Sequence, residues 1–149
     1  MSHFTTPFTP TLVKPELTKQ EIFDATIRYA ATMPKRCMDI SGCAYRNEEN
    51  TSACFVGALL TDDEVLDGDS NVVIGGVDTL MNLAMLPDRL QPHTKLLTNL
   101  QRIHDSGGNW SGKDYEGPAN RERMRSEFKL VADEFGLAHT AIREVFPAH

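Results

Sequence analysis

The chain has 149 residues, 40% of them hydrophobic and 24% charged, with a formal net charge of −6. That length suits one domain with a buried core, and the balance is that of a globular chain. The negative charge argues against a nucleic-acid partner, since phosphates call for clustered Lys and Arg. No apolar run approaches the roughly 18 residues of a membrane helix, and no basic-then-apolar start reads as a secretory signal. A cytoplasmic protein without membrane or nucleic-acid partners is the expectation.

Residues Met1 to Pro15 carry Pro7, Pro10 and Pro15 among Thr and Phe. Proline removes amide donors and disfavours helix in the residue before it, so residues 1–17 read as an extended arm. The pattern fits a mobile arm and equally one laid across the domain through Phe4, Phe8, Leu12 and Val13. Residues 18–149 read as a single domain. Thr18 with Glu21 three residues on is a capping box, and Leu17 with Ile22 can form a hydrophobic staple. Ile22, Phe23, Thr26, Ile27 and Ala30 continue a helical apolar stripe that ends before Pro34. From Cys37 to Arg46 the pattern turns strand-like, and Asn47 to Asn50 reads as a turn. Thr51 or Ser52 can cap a short helix from Ala53 to Leu60, favoured by propensity. A strand is the alternative, setting Cys43 opposite Cys54 across a hairpin.

Asp67 to Asn71 is a turn signal, followed by a β-branched strand at Val72-Val73-Ile74 and then Gly75-Gly76. Helices follow from about Asp78 to Leu86 and from about Thr94 to Asp105, the second with Leu96, Leu97, Leu100 and Ile103 on one face. The stretch Ser106 to Ala119 is a glycine-rich loop with Trp110 and Tyr115, of a length that is often functional or mobile. A helix from about Asn120 to Phe135 carries Met124, Phe128, Val131 and Phe135 at helical spacing, with Gly136 as its C-cap. Arg121, Arg123 and Arg125 on it interleave with Glu122 and Glu127, as on a solvated face. A short helix, roughly Thr140 to Phe146, closes the chain. The predicted fold class is α+β, mostly helical around a small two- or three-stranded sheet.

Three cysteines, Cys37, Cys43 and Cys54, without a CxxC pair read as reduced thiols. The five histidines show neither HExxH nor finger spacing, so no zinc site is expected and no cofactor is implied. The acidic residues Asp62, Asp63, Glu64, Asp67 and Asp69 lack EF-hand order and read as a solvated turn. Cys54, in the first turn of the 53–60 helix, would gain thiolate character from unpaired amides and the helix dipole. His104 and Asp105 could then serve as base and orienter. The plainer reading makes Cys54 a packing residue beside Gly57 and Ala58, and His104 a complement to the helix dipole. Adjacent His and Asp on one helix are also expected to point apart. Arg46 beside Tyr45 is placed to grip a carboxylate or phosphate, or to pair with Glu48 or Glu49. Gly75-Gly76 matches neither phosphate-loop pattern.

The order Cys43-Ala44-Tyr45-Arg46, a polar turn, Cys54-Phe55-Val56-Gly57-Ala58-Leu59-Leu60 and Asp62-Asp63-Glu64 resembles a group of small uncharacterised phage and bacterial proteins. Leu97, Leu100, Gln101, Ile103, His104 and Asp105, then Phe135-Gly136-Leu137, extend the resemblance over about Thr18 to Leu137. Ala58 stands where many of that group carry a second cysteine, and the glycine-rich loop is longer here. The resemblance implies a phage-like setting and a shared fold, and no activity.

The leading expectation is a non-enzymatic accessory protein that binds a host protein or a small ligand, with homo-oligomerisation also open. Tyr45, Arg46, Trp110 and Tyr115 are its contact residues, and for Trp110 and Tyr115 a lid tucked over the core is an equal reading. The alternatives are a cysteine-dependent enzyme using Cys54 and His104, and a small-nucleotide binder using Arg46 and the amides after Val72-Val73-Ile74.

Overall fold

The computed structural model describes residues 16–39, 42–43, 53–60 and 87–147. The arm up to Pro15, the Asn47–Asn50 turn, the acidic turn, the Val72–Ile74 strand, Gly75-Gly76 and the Asp78–Leu86 helix lie outside them. So do Tyr45 and Arg46.

Helix α1, Lys19–Thr32, begins where the capping box requires. The Thr18 hydroxyl accepts from the Glu21 amide, and the Glu21 carboxylate accepts from the Thr18 amide, both at 3.0 Å. Two orphan donors of the first turn are thereby satisfied. The stripe Ile22, Phe23, Thr26, Ile27 and Ala30 is buried, and Thr26 remains in it because its hydroxyl donates to the Ile22 carbonyl at 2.8 Å. Helix α2, Thr94–Asp105, buries Leu96, Leu97, Leu100 and Ile103, together with Gln101 and His104. Helix α3, Arg121–Phe135, starts at Asn120, whose side chain accepts from the Arg123 amide, and stops at Gly136 in the left-handed region at φ 67. Helix α4, Thr140–Val145, follows after a short turn.

The α+β expectation is overturned. Among the described residues the architecture is helical, and paired strand is limited to β1, Met38–Asp39, against β2, Gly42–Cys43, antiparallel with Met38 opposite Cys43. Two residues a side cannot form a layer that helices pack upon. The predicted helix at Ala53–Leu60 is also replaced. Residues Gly57–Leu59 make a 3-10 turn in which Leu60 donates to Gly57 and Leu59 to Val56. Every residue from Ala53 to Leu60 is buried, so tertiary packing rather than propensity sets its form.

An aromatic spine joins the layers. Phe128 of α3 lies 6.2 Å from Phe23 of α1, 5.9 Å from Phe146 and 6.0 Å from Phe55. Phe55 continues to His104 at 5.2 Å and to Trp110 at 6.3 Å. Helices α1 and α4 are tied at the surface by Gln20, bonded in both directions to Ala138, and by an Arg28–Glu144 ion pair at 2.9 Å. The three arginines of α3 lie on the solvated face predicted for them, Arg121 and Arg123 exposed and Arg125 partly so, and each still holds a neighbour. Arg121 donates to the Val145 carbonyl and covers the Phe146 ring, Arg123 bonds Asn109, and Arg125 reaches the Pro147 carbonyl. Because Phe128 touches rings from three directions, Phe128→Ala should cost about 3–5 kcal/mol, read as a lowered midpoint in urea unfolding.

Candidate functional site

His104 and Asp105 end α2, and the last turn of a helix frees a side chain from regular spacing. There the Asp105 Oδ1 lies 2.9 Å from the His104 Nδ1, so the expectation that the two point apart is corrected. The other ring nitrogen, Nε2, accepts from the Cys37 amide at 3.2 Å. An acceptor at Nε2 fixes the proton on Nδ1, which donates to Asp105. Gln101, one turn back, donates to the same Asp105 oxygen at 2.9 Å and accepts from the Val56 amide at 3.1 Å. A continuous hydrogen-bonded chain, buried except at the partly exposed Asp105, thus runs from the Cys37 amide through His104, Asp105 and Gln101 to the Val56 amide. In the sequence Gln101 enters only through the resemblance and is given no role, although its spacing of three and four from His104 and Asp105 places all three on adjoining parts of one helix face. Tyr29, also unremarked, holds the start of the 53–60 segment by donating to the Ala53 carbonyl at 2.6 Å and accepting from its amide at 3.1 Å.

Cys54 is enclosed in the core beside these groups. Its sulfur accepts from the Gly57 amide at 3.3 Å, but burial dominates and pushes the thiol well above its ordinary value. The expected thiolate stabilisation is therefore reversed: the amide is present, and the missing water outweighs it. With both nitrogens of His104 occupied, the imidazole has no lone pair to offer a thiol. Cys54 and His104 are buried and Asp105 is partly exposed, without the open nucleophile–base arrangement that catalysis needs. Iodoacetamide should leave Cys54 unmodified in the native protein and label it in urea, as read by peptide mass spectrometry.

Trp110 is 1% exposed, which removes it as a surface contact and makes it the anchor of its loop. Its indole N–H donates to the His104 carbonyl at 2.9 Å, and Asn109 donates to the Ile103 carbonyl at 3.0 Å. Trp110 also bridges Ala119, while Ser111 bonds the Pro118 carbonyl through its amide and Gly117 donates to the Ser111 carbonyl at 2.7 Å. A Cβ on Gly117 would meet that Ser111 carbonyl oxygen at 2.9 Å, so glycine is required for the closure. The loop read as long and irregular is in fact closed at its base. At its tip Tyr115 is 54% exposed, and Asp114 and Tyr115 hold φ values of 58 and 60.

Among the described residues no helix is long and apolar enough to cross a membrane, and no group of three or more His, Cys, Asp or Glu is set to hold a metal. Comparison with known proteins gave no match to a family model, to a curated protein or to a solved structure.

Burial lowers the pKa of His104 from 6.5, against the upward pull of its Asp105 hydrogen bond; a smaller downward pull comes from Arg36. His93, whose Nε2 meets the Leu17 carbonyl at 2.8 Å, is lowered as well, again chiefly by burial. Below pH 6.5 the unfolded chain takes up protons that the folded chain refuses, so unfolding gains with acid. Urea-unfolding free energy should stay level between about pH 7 and 8, below the ordinary thiol range, and fall from pH 6.5 downward, before most carboxylates titrate. His104→Gln should weaken that fall, apart from its own cost in stability.

Proposed function

We propose that the protein is a non-enzymatic accessory protein that binds a host protein or small ligand through the loop Ser106 to Ala119. The observation that carries this reading is the half-exposed Tyr115 at the tip of a loop whose base is locked into the core by Trp110. Tyrosine and arginine are enriched where a few side chains supply most of the binding energy. A pre-set loop also spares the ordering cost that a floppy one incurs on association. Two consecutive non-glycine residues at positive φ store strain on the order of 1–3 kcal/mol each, a condition found mostly at functional sites. The resemblance to small phage and bacterial proteins supports a host-directed setting.

The test is co-purification from host lysate with tagged wild type and Tyr115→Ala. A hot-spot tyrosine predicts a loss of about 2 kcal/mol or more, roughly 30-fold in affinity, at an unchanged melting temperature. Equal recovery by the variant would count against the loop. A wild type that brings down neither a stoichiometric partner nor a small molecule would count against binding as the function.

A further inference from the structure

Helices α2 and α3 present matching ridges to one groove of about 400 Å³. Asn99, Arg102, Ile103 and Ser106 follow one another along the end of α2 and its cap at steps of three, one and three residues. Glu127, Leu130, Val131 and Glu134 repeat the same steps on α3. Such steps keep four side chains on one side of a helix. Ile103 and Val131 are buried, whereas Leu130 is 67% exposed. Among the described residues, Tyr115 is the other large hydrophobic side chain left so open.

The charges of the groove stand on opposite walls. Arg102 of α2 donates from Nη1 to the Asn99 Oδ1 at 3.0 Å. Among the described residues, neither Arg102 nor Glu127 nor Glu134 enters an ion pair, although Glu127 is half-buried. Arg28 and Glu144, by contrast, answer each other, as do His139 and Asp133. Both signs of charge thus line a common groove with an exposed leucine between the two acids, and neither sign is neutralised across it.

We propose that the α2–α3 groove is the face on which a second copy of this chain docks, forming an isologous dimer. A twofold axis along the groove lays α3 of each copy over α2 of the other, and the two helix pairs close into a four-helix bundle. Arg102 of each copy then meets the ridge of Glu127, Leu130 and Glu134 on the other. Its charge answers the carboxylates, and its alkyl stem covers the leucine. A partner of a single sign answers one wall and repels the other, whereas the groove answers both of its own walls at once. That complementarity selects a second copy. The net charge of −6 opposes association only weakly, because fields between exposed charges fade over about 8 Å at physiological salt. The dimer goes beyond the reading of the loop as a binding surface and stands without it.

The experiment is sedimentation velocity over a concentration series. Wild type should move from monomer to dimer mass. Leu130→Glu should stay monomeric at every concentration while keeping the wild-type melting temperature, since the leucine faces solvent in the monomer. Arg102→Glu alone, and Glu127→Arg/Glu134→Arg alone, should each weaken dimerisation roughly tenfold or more, because like charges then face each other. Mixing these two variants should restore the dimer, since each reversed wall then meets its opposite. A purely structural role for the three residues gives no such rescue. The proposal is overturned by a wild type at monomer mass throughout, by Leu130→Glu dimers as strong as those of wild type, or by a mixture no stronger than its parts. Should wild type stay monomeric while Leu130→Glu loses a partner that wild type recovers from lysate, the groove belongs to another protein and the second copy falls.

Discussion

A neutral imidazole buried between two obligatory partners sets the geometry of this protein. His104 must accept from the Cys37 amide and donate to Asp105 at the same time, which only the uncharged ring can do. A buried amide left without an acceptor costs about 1–3 kcal/mol, so the segment after α1 is held wherever that nitrogen points. Gln101 extends the same constraint to the Val56 amide, bringing the 53–60 segment against α2. Three stretches far apart in the chain are thereby aligned by hydrogen bonds, and the aromatic rings around Phe55 and Phe128 fill the space between them.

The same helix end also positions the candidate binding surface. The carbonyls of Ile103 and His104, which α2 itself leaves unpaired near its terminus, accept from Asn109 and Trp110. Arg36 takes the Asp105 carbonyl. The helix terminus is thus satisfied by the loop and by an arginine, and the loop gains a rigid base from which Tyr115 projects. A chemistry that first suggests a catalytic pair turns out to be scaffolding, and the surface that scaffolding supports is a few residues further on.

Much of the helical framework was legible because it is written in local signals. The Thr18–Glu21 box, the apolar spacing of α2, the Asn120 start and the Gly136 stop of α3 all fall where the sequence puts them. What was not legible depends on tertiary context. Ala53 to Leu60 reads as a helix by propensity, yet with complete burial and the partners Tyr29 and Gln101 it forms only a turn from Cys54 to Ala58 that runs into one 3-10 turn. For Cys54 the plainer sequence reading, a packing residue beside small neighbours, agrees with its complete burial, and the thiolate alternative fails because solvation is missing. For Trp110 the sequence leaves a contact residue and a side chain tucked over the core as equal readings; its burial decides for the second, through a bond to the His104 carbonyl that no sequence pattern displays.

The pairing of α1 with α4 has a consequence for how the chain is made. Gln20 and its partner Ala138 are separated by 118 residues. At ribosomal speeds of about 5–20 residues per second that gap takes roughly 6 to 24 seconds to synthesise. Throughout that interval the stripe of Ile22, Phe23 and Ile27 emerges into solvent before the helix that covers it exists. Nascent chains of this protein are therefore natural clients for whatever shields apolar helices at the tunnel exit.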